Sequence, residues 1–206
     1  MLETVLIPAA EPSRRLLVVL HGLGDSPDGY RWLPDAMQLP WLDYLLVRAP
    51  DSYYGGFSWY DLYGNSATGI LRSRDLLLAL LADLTRQDYL PENITLFGFS
   101  QGCLMIMELA ARFPQRLAGV VGISGYIHEP ETLLREAQAA APSQRILMTH
   151  GSQDPLIPLA PVRAQMETLR RAGWQIDWRE FNKAHTIAGD EEMEVIRDFV
   201  RAGYPA

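Results

Sequence analysis

Short apolar runs recur along the chain, and segments with helical spacing or turn residues separate them. Nearly continuous aliphatic runs are typical of strands that are covered on both faces of a parallel sheet. The pattern predicts strands at residues 4–7, 16–20, 44–47, 94–97, 117–123, 146–149 and 175–181. The first run precedes Pro8 and is predicted to be an antiparallel edge strand.

Segments of helical character lie between these runs. They predict helices at residues 71–84, 103–112, 131–140, 161–171 and 190–201. The alternation indicates an α/β fold, with a mostly parallel central sheet of about seven strands and helices on both faces. A length of 206 residues fits one domain, which is expected to span residues 1–206. The irregular stretch at 50–69 is rich in glycine and aromatic residues, and so long a connection is usually functional.

Charge and cysteine content narrow the class of protein. The net charge of −7 and the lack of a basic run argue against a nucleic-acid partner. No apolar run approaches the length of a membrane span. The first four residues include an acidic one and lack the basic region of a signal peptide. A single cysteine, Cys103, excludes an internal disulfide and is compatible with a reducing compartment, so a cytoplasmic location is expected.

The sequence Gly98-Phe99-Ser100-Gln101-Gly102 joins a predicted strand to a predicted helix. A G-x-S-x-G motif in that context describes a nucleophile elbow, a sharp turn that presents the serine at a helix N-terminus. The two glycines allow the strand and the helix to approach closely. Ser100 is therefore the candidate nucleophile.

A serine nucleophile needs a base within hydrogen-bond reach, and the base needs a carboxylate to orient it. Enzymes with such an elbow carry these residues in the order Ser, acid, His. Of the four histidines, His128, His150 and His185 follow Ser100. His185 lies in the last strand-to-helix loop, at the sheet edge where ligands bind in α/β folds, and is the candidate base. His150 ends a strand and is interpreted as structural.

The acid is expected between Ser100 and His185. Asp154 follows the predicted strand at 146–149 in a tight turn next to Pro155, and it is the candidate acid. Taken alone, an aspartate before proline is simply a turn residue. The alternative acid, Asp177, lies in the middle of a predicted strand.

Acyl transfer also needs hydrogen-bond donors for the oxyanion. The amide of Gln101, which follows the nucleophile, is one candidate, and the glycine-flanked amide of Leu23 in the loop after an early strand is the other. The loop at 21–26 also fits a plain tight turn. Isolated histidines and one cysteine predict no metal site, and Cys103 is expected to be a small buried residue rather than a nucleophile.

Together these motifs resemble the phospholipase/carboxylesterase family of small α/β-hydrolases, which includes acyl-protein thioesterases and bacterial carboxylesterases. The resemblance spans most of the chain in the family's order. It rests on HGLGDS at 21–26, SWYD at 58–61, GFSQG at 98–102, HGSQDPLIP at 150–158 and AH at 184–185. The family's pattern usually has glycine where Cys103 and Ala184 stand, and the stretch at 64–74 also differs.

The resemblance implies an α/β-hydrolase fold with a minimal cap domain or none, and esterase or thioesterase activity on small-molecule or acylated substrates without a cofactor. It implies the roles of Ser100, Asp154 and His185 named above and an oxyanion hole at the Leu23 and Gln101 amides. It also implies that Trp59 lines the active site.

The aromatic stretch at 53–60 is expected to wall a pocket for short to medium acyl chains. Phe57, Trp59, Tyr60 and, beyond that stretch, Leu156 are the candidate substrate-binding residues. The same aromatics also fit a rim packed on the core, or a surface for a membrane or the partner in a homodimer. Lysophospholipase and acyl-protein thioesterase activities are the alternatives among enzymes. A non-catalytic binding protein on the same scaffold is the alternative outside them.

Overall fold

The structure, a computed structural model, describes residues 2–11 and 13–204. Met1, which opens the N-terminal segment considered above, and the outermost residues of the expected 1–206 domain lie outside the described residues.

Strands and helices alternate through most of the described chain. The strands are β1 (Thr4–Ile7), β2 (Arg15–Leu20), β3 (Leu42–Val47), β4 (Asp51–Tyr53), β5 (Gly56–Ser58), β6 (Ile94–Phe99), β7 (Gly119–Ile123), β8 (Ile146–Gly151) and β9 (Ile176–Phe181). The helices are α1 (Leu33–Met37), α2 (Ser66–Arg86), α3 (Gln101–Arg112), α4 (Pro130–Arg135), α5 (Leu159–Arg171) and α6 (Gly189–Ala202).

Seven strands form one sheet in the order β1-β3-β2-β6-β7-β8-β9. All neighbours are parallel except β1, which pairs antiparallel with β3 at the edge. The mostly parallel seven-stranded sheet and the antiparallel edge strand are as the sequence predicted. The carboxyl ends of β2, β6, β8 and β9 therefore meet along one edge of the sheet.

Each face of the sheet carries its own apolar layer. In β2, Leu16, Val18 and Leu20 pack on the side of α2, α3, α4 and α5. Leu17 and Val19 point the other way, towards α1 and α6. All five side chains are buried, which explains why the strand is a continuous aliphatic run rather than an alternating one.

Three local predictions were wrong, and one helix was missed. The stretch at 50–69 is not irregular throughout, because β4 and β5 form a hairpin and α2 already begins at Ser66. The helix predicted at 131–140 ends at Arg135, and a 3₁₀ turn follows at Ala141–Ser143. The strand predicted from 117 begins at Gly119. Helix α1 had not been predicted.

The described elements form the sheet, its two helical layers and the β4–β5 hairpin, so they build no separate cap domain. Within residues 2–11 and 13–204, no helix combines the length and the apolar character needed to cross a bilayer.

Candidate active site

Ser100 stands at the sharp turn between β6 and α3. Its backbone has φ 54° and ψ −115°, a region that costs a non-glycine residue free energy. A Cβ on Gly98 would lie 2.4 Å from the Gly102 carbonyl oxygen, and a Cβ on Gly102 would lie 2.2 Å from the Leu20 carbonyl oxygen. The two glycines of the motif therefore allow the turn to pack against its neighbours, and the turn orients the serine.

His185 lies between Ser100 and Asp154. Its Nε2 is 2.9 Å from Ser100 Oγ, and its Nδ1 is 2.7 Å from Asp154 Oδ2. With Nδ1–H donating to the carboxylate, Nε2 is free to accept the serine proton. The histidine side chain is 13% exposed and that of Asp154 is fully buried, so only the serine end of the series opens to the surface.

The Asp154 carboxylate is fixed by its own turn. Its Oδ1 accepts hydrogen bonds from the amides of Leu156 and Ile157, both at 2.9 Å. Burial alone would raise the pKa of Asp154, but the bonds from Ile157, His185 and Leu156 together hold that pKa below its usual range. The side chain is therefore a preoriented anion facing His185. The alternative acid, Asp177, instead pairs with Arg179 on the exposed part of β9.

The other histidines have structural surroundings. His150 is buried, its Nε2 donates to the Ile157 carbonyl at 2.9 Å, and burial lowers its pKa. His21 donates through Nδ1 to the Gly22 carbonyl and accepts the Ala49 amide at Nε2. His128 lies 3.9 Å from Glu129. Among the described histidines, only His185 is hydrogen-bonded to Ser100.

The loop after β2 approaches the serine closely. A Cβ on Gly22 would lie 3.4 Å from the Ser100 Cβ. The amides of Gly24 and Asp25 donate to the carbonyls of Phe57 and Gly22, respectively. The amide of Leu23, which precedes them, has no backbone acceptor among the described residues. The amide of Gln101 opens α3, where helical N–H groups have no acceptor within the helix. Both predicted donors therefore lie beside Ser100.

Phe57 does not line the cleft beside Ser100, contrary to expectation. It sits in β5, and its backbone pairs with the loop after β2, with Gly24 N–H donating to Phe57 O at 2.8 Å and Phe57 N–H donating to Asp25 O at 2.9 Å. Its ring lies 4.7 Å from the Arg48 guanidinium, on a different surface cleft. Phe57 therefore supports the loop that carries Leu23 instead of facing the cleft.

Trp59 was also expected in the cleft wall, but it is fully buried beneath it. Its indole Nε1–H donates to the His21 carbonyl at 2.9 Å, and its amide donates to Gln101 Oε1 at 3.0 Å. The Gln101 side chain also donates to the Tyr60 carbonyl at 3.0 Å. Sequence reasoning considered only the Gln101 amide and missed this side chain, which fastens the segment after β5 to the start of α3.

A cleft of about 700 Å³ opens beside Ser100 and His185. Tyr60 and Leu156 lie in its wall. The sequence did not single out several further lining residues, which are Leu62, Tyr63, Tyr126, Ile157, Pro158, Pro161, Val162 and Gln165. Tyr126 follows β7 at the same sheet edge, a position that signals a ligand-facing loop. Most of this wall is apolar.

A second cleft of about 520 Å³ meets the first at Asp25, Phe99 and His185. Trp32 and Asp190 also line it. No lysine or arginine is among the described residues that line either cleft. The first cleft is therefore mostly apolar, Asp25 lies where the two clefts meet, and Asp190 adds a second carboxylate in the other cleft.

Cys103 is fully buried in the first turn of α3. A Cβ on Gly122 or on Gly125 would come within 2.7 Å of its Sγ, so these glycines make the room that the thiol occupies. Burial raises the pKa of Cys103 to about 12, which leaves the thiol protonated and unreactive. In the described ranges, no three His, Cys, Asp or Glu side chains are grouped as metal ligands would be.

Known proteins resemble this chain in both sequence and fold. A model of the family described as phospholipase/carboxylesterase matches residues 2–203. An acyl-protein thioesterase 1 of Gibberella zeae is 24% identical over 231 aligned positions, covering 98% of this chain and 95% of that protein. An acyl-protein thioesterase 1 of Schizosaccharomyces pombe is 28% identical over 170 positions, covering 76% of each.

A solved structure shares the whole fold. The crystal structure of esterase PE8 superposes with a TM-score of 0.85 and 27% identity, covering 98% of this chain and 99% of that one.

Proposed function

Since the chain belongs to the phospholipase/carboxylesterase family, we propose that it is a serine hydrolase that cleaves carboxylic ester or thioester bonds through Ser100, His185 and Asp154. The observation that carries the proposal is the continuous hydrogen-bonded series from Ser100 Oγ through His185 to the buried Asp154. Names of relatives, acyl-protein thioesterase and esterase, support the same bond types.

The first half of the reaction acylates the serine. Ser100 Oγ attacks the carbonyl carbon while His185 Nε2 takes the hydroxyl proton, and Asp154 stabilises the resulting imidazolium. The tetrahedral intermediate collapses, the bond to the leaving group breaks, and His185 gives its proton to the departing alcohol or thiol. A water molecule then repeats the sequence on the acyl-enzyme, which releases the carboxylic acid and restores Ser100.

The Leu23 and Gln101 amides stabilise the negative charge that develops on the carbonyl oxygen. Each donor of this kind contributes about 3 kcal/mol to the transition state. The hairpin supports this arrangement, because Phe57 holds the loop that carries Leu23.

The apolar cleft receives the acyl group. Tyr60 and Leu156 lie in its wall, and a volume of about 700 Å³ suits short to medium acyl chains. The second cleft, on the other side of His185, receives the leaving group.

Two further proposals concern the molecule's surroundings. The single, buried Cys103 is compatible with an enzyme of the cytoplasm, where thiols stay reduced. The exposed side chains of Tyr54 and Tyr63 favour a homodimer contact or a contact with an acylated protein substrate. Light scattering on a sizing column distinguishes a monomer, with half the dimer mass, from the dimer.

Turnover of p-nitrophenyl esters, acyl thioesters and lysophospholipids tests the proposal. Ser100→Ala is expected to abolish turnover and fluorophosphonate labelling, because no other group supplies the nucleophile. The control is Ser152→Ala, an exposed serine at the same sheet edge. Near wild-type turnover by Ser100→Ala would overturn the mechanism, and the lack of any hydrolysis by the wild type would favour a binding protein.

The identity of the acid has its own pair of variants. Asp154→Asn is expected to lower kcat by roughly four orders of magnitude, because the amide favours the wrong histidine tautomer. Asp177→Asn removes the exposed ion pair with Arg179 on β9 and is expected to leave kcat unchanged. The reverse result would assign the acid to Asp177.

A further inference from the structure

The loop that carries His185 connects β9 to α6, and a buried ion pair lies beneath it. Lys183, the only lysine of the chain, places its Nζ 2.5 Å from Glu192 Oε1. Its side chain is 2% exposed and that of Glu192 is 0% exposed. A buried pair of this kind is seldom needed for stability, since apolar residues of similar volume often serve as well. The segments that the pair joins therefore indicate its role.

The Glu192 carboxylate accepts hydrogen bonds from three separate parts of the fold. Oε1 accepts from Lys183 Nζ and from the Thr149 hydroxyl on β8, each at 2.5 Å. Oε2 accepts the backbone N–H of Ala188 at 2.5 Å, at the N-terminus of α6. Lys183 and Ala188 lie on either side of His185, so one carboxylate from α6 holds both ends of the histidine loop against β8.

The same loop is joined to the turn that carries the acid. Gln153 N–H donates to the Lys183 carbonyl at 3.0 Å. A Cβ on Gly151 would lie 2.3 Å from that carbonyl oxygen, so β8 and the loop approach each other as closely as their backbones permit. Lys183 thus connects to Glu192 through its side chain and to the Asp154 turn through its backbone.

We propose that the Lys183–Glu192 pair is a positioning device, which holds the His185 loop at both ends so that Nε2 stays directed at Ser100 Oγ and Nδ1 at Asp154. Neither residue touches the reacting atoms. The inference rests on the proposed triad, and it adds two residues for which the sequence reasoning assigned no role.

The isosteric variant Glu192→Gln tests the device. Its amide keeps an oxygen for Lys183 and Thr149 but presents N–H groups, not an acceptor, to Ala188. Because small misplacements of a catalytic group are costly, kcat is expected to fall roughly 10- to 100-fold with KM within about twofold of wild type. The rate of fluorophosphonate labelling falls in parallel, and the downfield proton resonance of His185 Nδ1 shifts or broadens.

Glu108→Gln is the matched control. Glu108 is also buried and paired, through Arg112, but it lies on α3 away from the histidine loop. The control is expected to lose stability without any change in kcat, labelling rate or the downfield resonance. Wild-type kcat for Glu192→Gln, or an equal loss of kcat in Glu108→Gln, would overturn the proposal.

Two more variants separate positioning from folding. The double variant Lys183→Met/Glu192→Leu replaces the pair with apolar side chains and is expected to stay folded with kcat still reduced. Full activity there would mean that the pair only fills space. Thr149→Val keeps the charge pair and removes one hydrogen-bond donor to Glu192, so it tests the proposal even if the other variants fail to fold. A smaller fall in kcat and labelling rate, with a shifted His185 resonance, supports the proposal. Wild-type kcat, labelling rate and resonance contradict it. Turnover in Ser100→Ala would instead disprove the underlying triad.

Discussion

Ser100 and Asp154 are oriented by their own backbones before any substrate arrives. The φ of 54° at Ser100 points the hydroxyl towards His185, and the turn amides of Leu156 and Ile157 hold the aspartate. The sequence could nominate these candidate residues and their order, because the G-x-S-x-G motif and the strand ends are local signals. The distances between them were not, because they depend on how the strands pair.

Asp154 has a consequence for stability as well as for catalysis. Its folded pKa lies below the ordinary value of about 3.9, so the ionised side chain stabilises the fold above that pH. The contribution is lost as pH falls through the lower, folded pKa. The stability difference between wild type and Asp154→Asn is therefore expected to shrink as the pH falls from the unfolded value of about 3.9 through the lower, folded pKa. Urea unfolding midpoints across this range measure it, and a constant difference would contradict the assignment of the shift.

The elements that the sequence predicted well are the buried ones. Continuous aliphatic runs identify the parallel strands, whereas the β4–β5 hairpin was missed because its strands have three residues each. Its turn uses positive φ at Tyr54 and Gly55, without the Asn-Gly or Asp-Gly signal of such turns. Phe57 was assigned to the cleft because the hairpin was missed, and Trp59 because of the family resemblance. Phe57 instead holds the loop after β2, and Trp59 is fully buried.

The hairpin's attachment to α3 is testable through the Gln101 side chain. Gln101→Met has similar length but leaves the buried Trp59 amide and Tyr60 carbonyl without this partner, at a cost of roughly 1–3 kcal/mol. We expect lower stability together with lower kcat, because the segment after β5 is no longer held beside the cleft. Urea unfolding and ester turnover are the measurements.

Gln144 offers the matched control at the opposite edge of the sheet. It is buried, accepts the Leu117 amide at 2.9 Å and donates to the Gln115 carbonyl at 2.8 Å. Gln144→Met is expected to cost similar stability with kcat unchanged. Equal loss of kcat in both variants would show that the effect of Gln101 is only on folding.

On the scale of the whole molecule, the net charge is negative, and the charged side chains in the second cleft include carboxylates but no lysine or arginine among the described lining residues. The net charge is −7, and the carboxylates are those of Asp25 and Asp190. Such a field repels anions approaching the site and is screened by salt. The net charge can be counted from the sequence, but only the fold shows that Asp25 and Asp190 lie in the same cleft as His185.

This charge distribution predicts discrimination between leaving groups. For thioesters with the same acyl chain, a leaving group with several phosphates is expected to give a higher KM than a neutral thiol. Raising the ionic strength should narrow the gap, because screening weakens the repulsion. Steady-state kinetics at low and high salt measure it, and a lower KM for the phosphorylated leaving group would contradict the prediction.

The position of β9 at the end of the strand order bears on how the protein is made. Synthesis proceeds from the N-terminus, so the Leu23 loop, Ser100 and Asp154 all leave the ribosome before His185. Until β9 pairs with β8 and α6 brings Glu192 under the loop, a partly synthesised chain has the candidate nucleophile without the candidate base. With His185 as the proposed base, a growing polypeptide is expected to stay inactive towards acyl groups until β9 and α6 have been made and packed.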